Sequence, residues 1–277
     1  MIIDEIIKQA LLEDIKEGDH TSLSTIPKNS TGKAQLIVKQ KGIIAGVDIA
    51  KRVFMAVDTT LKFTKKINDG FSVNIDDVVF EIEGSSISIL SAERLALNFM
   101  QRMSGIATTT AMYAERISGL STRLLDTRKT TPLLRELEKM AVKFGGGYNH
   151  RMGLYDMIMI KDNHIDFAGG IEKAIDACCS YLKEKKLDLK IEIEVRNLEE
   201  LNRVLKKGGV DRIMLDNFSV DNMYKAVQLI DGKYETEASG GITLETIRPY
   251  AETGVDFISV GALTHQIKSL DMSLKAI

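Results

Sequence analysis

Cysteine is scarce in this chain of 277 residues: only two occur, Cys178 and Cys179, next to each other. Adjacent thiols in a helical stretch build neither a disulfide framework nor, by themselves, a metal centre, so both are expected to be small buried apolar side chains. An excess of either charge is also missing, with 37 Lys and Arg against 39 Asp and Glu and a formal net charge of −2. That balance excludes nucleic acid and anionic membrane as main partners, because both select broad basic surfaces. Any anion site must therefore be local. No apolar run comes near the roughly twenty residues that span a bilayer. The N-terminal MIIDEIIKQALLEDIKEGD is acidic and amphipathic, without a basic segment leading into an apolar block. A cytoplasmic protein is expected.

What is present is an ordinary globular composition, 44% apolar, enough for one large domain or one large and one small. Residues 2–15 have the spacing of an amphipathic helix, KAQLIVKQKGIIAG alternates as a strand, and VDIAKRVFMAV is again helical. LKFTKKINDG reads as a strand closed by an Asn-Asp-Gly turn, and VVFEIEGSSISIL as strand, Gly turn, strand. Together they make an α+β module of about 90 residues with an antiparallel sheet. A long helix capped at Ser91 follows, interrupted at Ser104-Gly105.

From residue 123 the texture is repetitive. RLLDT, DMIMIKD, KIEIEV, RIMLDNF, YETEASG and DFISVGA alternate with helical segments that start at caps such as Thr131-Pro132, Asn197, Ser219 and Thr243. Such alternation means parallel βαβ units. Six units fall two short of a complete eightfold barrel, yet a barrel-like sheet fits better than an open doubly wound one: polar clusters end the strands, and no Gly-x-Gly-x-x-Gly follows the first. Those strand-end residues are Asp126, Arg128 and Lys129; Lys161, Asp162, Asn163 and His164; Glu192 and Glu194; Asp216 and Asn217; Ser239, Gly240 and Gly241; and Gly261. In barrel enzymes they converge on one mouth.

Their charges sort into two groups. Arg128, Lys129, His150, Arg151 and Lys161 form a cluster that needs an anion, Arg as a planar fork and Lys as a point charge. Glu194 and Asp216 offer the hard carboxylate oxygens with which Mg²⁺ is held beside a pyrophosphate. SGGIT and SVGALT place small residues before helix starts, where free backbone N–H groups cradle a phosphate.

The segments EDIKEGDHTS, ERLALNFMQRMSGIAT, DTRKTTP, EKMAVKFGGGYNHRMGLYDMIMIKDNHI, IEIEVRNLEEL, IMLDNF, ASGGI and VDFISVGALTH, in this order from residue 11 to about 272, resemble the quinolinate phosphoribosyltransferase family. The resemblance implies a small N-terminal α/β sandwich domain with its linking helix, residues 1–118, and an incomplete parallel α/β barrel, residues 119–277. It implies transfer of phosphoribosyl from phosphoribosyl pyrophosphate to quinolinate, with release of pyrophosphate and CO₂, to form nicotinate mononucleotide for NAD synthesis. Mg²⁺ is the implied cofactor. Carried over residue by residue, Arg128, His150, Arg151 and Lys161 take the quinolinate dicarboxylate, joined by Arg94 from the neighbouring subunit of a homodimer with shared active sites, either alone or within a hexamer of dimers. Lys129, Glu194 and Asp216 hold the ribose, pyrophosphate and Mg²⁺, and Thr127 belongs to the same substrate loop. Ser239, Gly240, Gly241, Val260, Gly261 and Ala262 take the 5′-phosphate. Lys129, Lys161, Glu194 and Asp216 are the implied catalytic groups, and the proton donor after decarboxylation stays open among Lys161, His150 and water.

Two positions depart from the family pattern. Leu133 stands where TTPGLR is common, and His20 where an apolar residue is usual; neither removes a charged group. Two other readings are carried along. Lys161 also suits the Schiff-base lysine of a barrel aldolase. A molybdenum-transport-associated relative shares the DTRKTTP and HR region but lacks the IKDNH found at 160–164.

Overall fold

A computed structural model describes residues 2–277. In chain order the first elements are α1 (Ile2–Ile15), α2 (His20–Thr25), β1 (Thr31–Val38), β2 (Gly42–Ile43), α3 (Val47–Val57), β3 (Lys62–Lys65), β4 (Ser72–Val73), β5 (Val78–Ser85) and α4 (Ser86–Arg116). Then come β6 (Arg123–Leu125), α5 (Arg135–Phe144), β7 (Ile158–Ile160), α6 (Asp162–Ala168), α7 (Ile171–Lys185), β8 (Ile191–Val195) and α8 (Leu198–Lys207). The chain closes with β9 (Arg212–Asp216), α9 (Val220–Ile230), β10 (Glu235–Ser239), α10 (Ile247–Ala251), β11 (Phe257–Ser259), α11 (Ala262–His265) and β12 (Met272–Ala276). No helix among the described residues is long and apolar enough to cross a membrane.

Two compact units emerge: Met1–Ala111 with Thr130–Gly146 and Leu263–Ile277, and Met112–Lys129 with Gly147–Ala262. This differs from the expected single cut after residue 118. In the first unit, an antiparallel sheet runs in the order β12-β1-β5-β3, so the last strand of the chain pairs with the first. Alternation along β1 buries Ala34, Leu36 and Val38. Phe63 stacks on Phe80 with centroids 4.4 Å apart, and Phe54 of α3 meets Phe80 edge-on at 5.9 Å.

The long helix begins at Ser86, not at an N-cap Ser91, so SISIL is helical rather than a strand. Five alternating residues satisfy both periods, and the Ser88 N–H donates to Ser85 Oγ at 3.3 Å in the first turn. Nor does Ser104-Gly105 interrupt α4. Ser104 Oγ accepts the Ala45 N–H and donates to the Ala45 carbonyl, and a Cβ on Gly105 would lie 2.3 Å from the Lys268 carbonyl oxygen. The pair marks close packing, not a break. Likewise α5 starts at Arg135 rather than at Thr131-Pro132: the Thr131 N–H donates to Glu138 Oε2, while Arg102 donates to both Thr131 Oγ1 and Glu138 Oε1.

In the second unit all six expected strands form one parallel sheet, ordered β6-β11-β10-β9-β8-β7. That is the cyclic order of a barrel left open at one seam, between β6 and β7. Every residue of β8 is buried, which puts Ile191, Ile193 and Val195 on one face and Glu192 and Glu194 on the other. The expected caps Asn197 and Ser219 are found, each accepting a backbone N–H of its helix's first turn. Thr243 instead opens a turn with Thr246, and α10 begins only at Ile247. Cys179 is exposed and Cys178 half-buried, against the expectation of two buried thiols.

Candidate active site

Asp126, at the end of β6, is fully buried, and its Oδ1 accepts the His150 backbone N–H at 2.9 Å. The Tyr148 N–H donates to the Leu124 carbonyl, and the Asp126 N–H to that of Tyr148, so the 148–151 loop is strapped along the strand end that carries Arg128. Arg151 donates to the Met157 carbonyl at 3.2 Å. Its guanidinium pKa is lowered by burial first and then by the charge of Arg128, which brings two cations to one part of the rim. Lys129 is exposed, and its N–H donates to Thr127 Oγ1.

Lys161, just after β7, pairs with Glu194 at the end of β8: Nζ to Oε2 is 3.0 Å, with the Lys side chain 46% exposed and the Glu 9%. Asp216, at the end of neighbouring β9, has its pKa raised by burial and then by Glu194. Two carboxylates from adjacent strands thus repel each other at the mouth, a donor set suited to a hard divalent cation. Asn217, in the left-handed conformation at φ 55°, donates to Asp216 Oδ2 at 2.6 Å. Its side chain presses on Gly240, where a Cβ would meet Asn217 Oδ1 at 2.2 Å, so only glycine fits there. The space a Cβ of Gly241 would enter is open. The Val260 N–H donates to the Leu125 carbonyl, fixing the 260–262 loop against β6.

The strand ends of this unit therefore carry every expected site residue except one. Arg94 belongs to the first unit, exposed in the third turn of α4.

Beneath the rim lies a cluster of which the sequence reading named only His150 and Glu192. His150 Nε2 is 3.0 Å from Glu192 Oε2 and 3.3 Å from Glu237 Oε2, and the second oxygen also accepts from Arg212 Nη1 at 3.1 Å. Arg212 stacks over the Phe257 ring, 4.0 Å from its centroid, and reaches Glu235 at 3.1 Å. Glu237 and Arg212 were missed, though IEIEV and YETEAS hold a signal: acids alternating inside strands covered on both faces must be buried. Burial raises the Glu192 carboxyl to about 7, with the charge of Glu237 adding to it. Burial also opposes ionisation of Glu237, but the hydrogen bond from His150 holds its pKa below the usual value. Burial lowers the His150 pKa and the two glutamates raise it by more, but the bond that Nδ1 accepts opposes a second ring proton and keeps the ring neutral. Nδ1 meanwhile accepts the Arg151 backbone N–H at 2.6 Å, so the ring hydrogen sits on Nε2, facing the glutamates. Although His150, Glu192 and Glu237 could together ligate a metal, a hydrogen on Nε2 and the cationic Arg212 on Glu237 make this a proton-sharing network instead.

Comparison with known proteins identifies the family. Two family profiles match, the quinolinate phosphoribosyl transferase N-terminal domain over residues 19–104 and its C-terminal domain over 106–275. Quinolinate phosphoribosyltransferase [decarboxylating] 1b of Nicotiana tabacum is 46% identical over 285 residues, covering 98% of this chain and 81% of the relative. A probable nicotinate-nucleotide pyrophosphorylase [carboxylating] of Bacillus subtilis is 42% identical, covering 98% and 92%. The crystal structure of NadC from Streptococcus pyogenes superposes with a TM-score of 0.94 at 40% identity, covering 99% of this chain and 97% of that one. The chain belongs to the quinolinate phosphoribosyltransferase family.

Proposed function

We propose that this chain transfers phosphoribosyl from phosphoribosyl pyrophosphate to quinolinate with loss of CO₂, giving nicotinate mononucleotide for de novo NAD synthesis. The observation that supports the site assignment is that backbone hydrogen bonds strap the 148–151 loop, with the partly buried Arg151, to the strand end that leads to Arg128, gathering like charges that favour an anion. Arg128, Arg151 and Lys161 take the two carboxylates, and Arg94 of a second copy of the chain completes the pocket. Fork-shaped guanidinium contacts hold the pyridine nitrogen in line with C1 of the ribose, so the nucleophile needs orientation and no deprotonation.

Loss of pyrophosphate builds positive charge on the ribose. Lys129 faces the departing oxygens, and Glu194 or Asp216 faces the developing cation. Glu194 and Asp216 also fit Mg²⁺, which when bound neutralises pyrophosphate charge. Backbone N–H groups of Ser239–Gly241 and Val260–Ala262 receive the 5′-phosphate, helped by the open space beside Gly241. Thr127 shapes the loop by accepting the Lys129 N–H. Once the ring nitrogen is ribosylated and positive, the C2–carboxylate bond breaks, and its electron pair stays on the ring carbon until a proton arrives. Lys161 does not suit a Schiff base, since it is half exposed and paired with Glu194 rather than desolvated among apolar groups.

Purified protein given quinolinate, phosphoribosyl pyrophosphate and Mg²⁺ is expected to release nicotinate mononucleotide and CO₂ in equal amounts, and chelation by EDTA to stop it. Product formation undiminished in EDTA would remove Glu194 and Asp216 from any metal-holding role.

A further inference from the structure

His150 donates and accepts entirely toward the protein. Nδ1 takes the Arg151 backbone N–H at 2.6 Å, Nε2 faces Glu192 and Glu237 at 3.0 and 3.3 Å, and the His150 backbone N–H is held by Asp126 at 2.9 Å. The side chain is 5% exposed. Glu237 is itself braced, because the oxygen that faces Nε2 also accepts from Arg212, and Arg212 is fixed over Phe257 and against Glu235. Turning the ring toward a ligand would take its hydrogen away from two fully buried carboxylates. It would also withdraw the acceptor from the Arg151 N–H.

We propose that His150 is a positioning residue rather than a proton donor: clamped by Glu192 and Glu237, it fixes the backbone at Arg151 so that this guanidinium meets a substrate carboxylate. The inference rests on the reading that Arg151 binds quinolinate. In the second half of the reaction the C2–carboxylate bond breaks, CO₂ leaves, and the electron pair left on C2 forms a C–H bond. The proton for that bond comes from a donor in the open mouth, an ammonium or water, and not from the imidazole below it.

The two roles differ in a single turnover. If His150 delivers the proton, His150→Asn ribosylates quinolinate normally and releases pyrophosphate ahead of protonated nicotinate mononucleotide. If it positions Arg151, pyrophosphate and nicotinate mononucleotide appear together at every time point, and the quinolinate KM rises about tenfold while that for phosphoribosyl pyrophosphate stays within about twofold. Glu237→Gln, which touches no substrate, is expected to raise the quinolinate KM in the same selective way, by about three- to tenfold. A pyrophosphate burst in His150→Asn, or an unchanged quinolinate KM in folded Glu237→Gln, overturns the proposal. Either variant decides it if the other does not fold. Should the wild type form no nicotinate mononucleotide, the functional reading fails separately; calorimetric quinolinate binding, weakened in Glu237→Gln and intact in wild type, would still uphold the positioning role, and equal binding would refute it.

Discussion

Leu133 holds a backbone conformation that suits glycine, with φ at 67° and 82% of its surface exposed. A left-handed leucine costs about 1–2 kcal/mol, whereas a glycine there loses about 0.4–1 kcal/mol through the greater freedom of the unfolded chain. Strain outweighs entropy, and the exposed side chain forfeits little packing. Leu133→Gly is therefore expected to stabilise the protein by about 0.5–1 kcal/mol, read as a higher urea midpoint at unchanged slope; a lower midpoint would mean that Leu133 makes contacts worth more than its strain. At this scale the charged rim was legible, because Arg128, Lys129, Lys161, Glu194 and Asp216 each follow or end a strand. His150 was legible as a residue but not in its orientation, which depends on Glu237 from a strand 87 positions away in the chain, 237 against 150.

Within an element, α4 shows how one glycine is chosen by packing rather than by helix propensity. Replacing a mid-helix glycine by alanine ordinarily gains up to about 1 kcal/mol. At Gly105 the added Cβ would sit 2.3 Å from a backbone oxygen, with no flexible side chain to yield. Gly105→Ala is expected to destabilise by about 1–3 kcal/mol instead, and a stabilised variant would show that α4 and the 268–269 backbone separate easily. Helix starts at Asn197 and Ser219 could be read from sequence because a cap is a contact three residues long. Thr131 and Thr243 could not: both are Ser/Thr-type cap residues, but the first is held by Glu138 and the second by Thr246, in turns that delay the helix.

For the whole molecule, the six parallel strands and their helices were foreseeable from repetition, while the return of the last strand to the first unit was not. The pairing of Val38 with Met272 joins residues from opposite ends of the chain, and no local pattern encodes it. The six strands were a count visible in the sequence, and the sheet order ends at β6 and β7. Arg94 lies outside the unit that carries the other site residues, and its proposed place in a second copy's pocket has a direct test. Arg94→Ala and Arg128→Ala, each nearly inactive alone, are mixed under conditions that exchange subunits. About half the dimers become hybrids with one intact pocket of two, so activity is expected to return toward about a quarter of wild type. No recovery, with exchange confirmed by mass spectrometry, would place Arg94 outside any partner's site.

The central claim is that the rim is built for a dicarboxylate, and the affinity of the free enzyme for quinolinate against nicotinate measures it most directly. Arg128, Arg151 and Lys161 supply three cations before any second copy contributes. Removing one carboxylate deletes a charge-assisted contact worth about 1.5–3 kcal/mol and leaves a cation unmatched. Calorimetry is expected to give nicotinate a dissociation constant about ten- to a hundredfold above that of quinolinate; equal constants for the two acids would contradict the account.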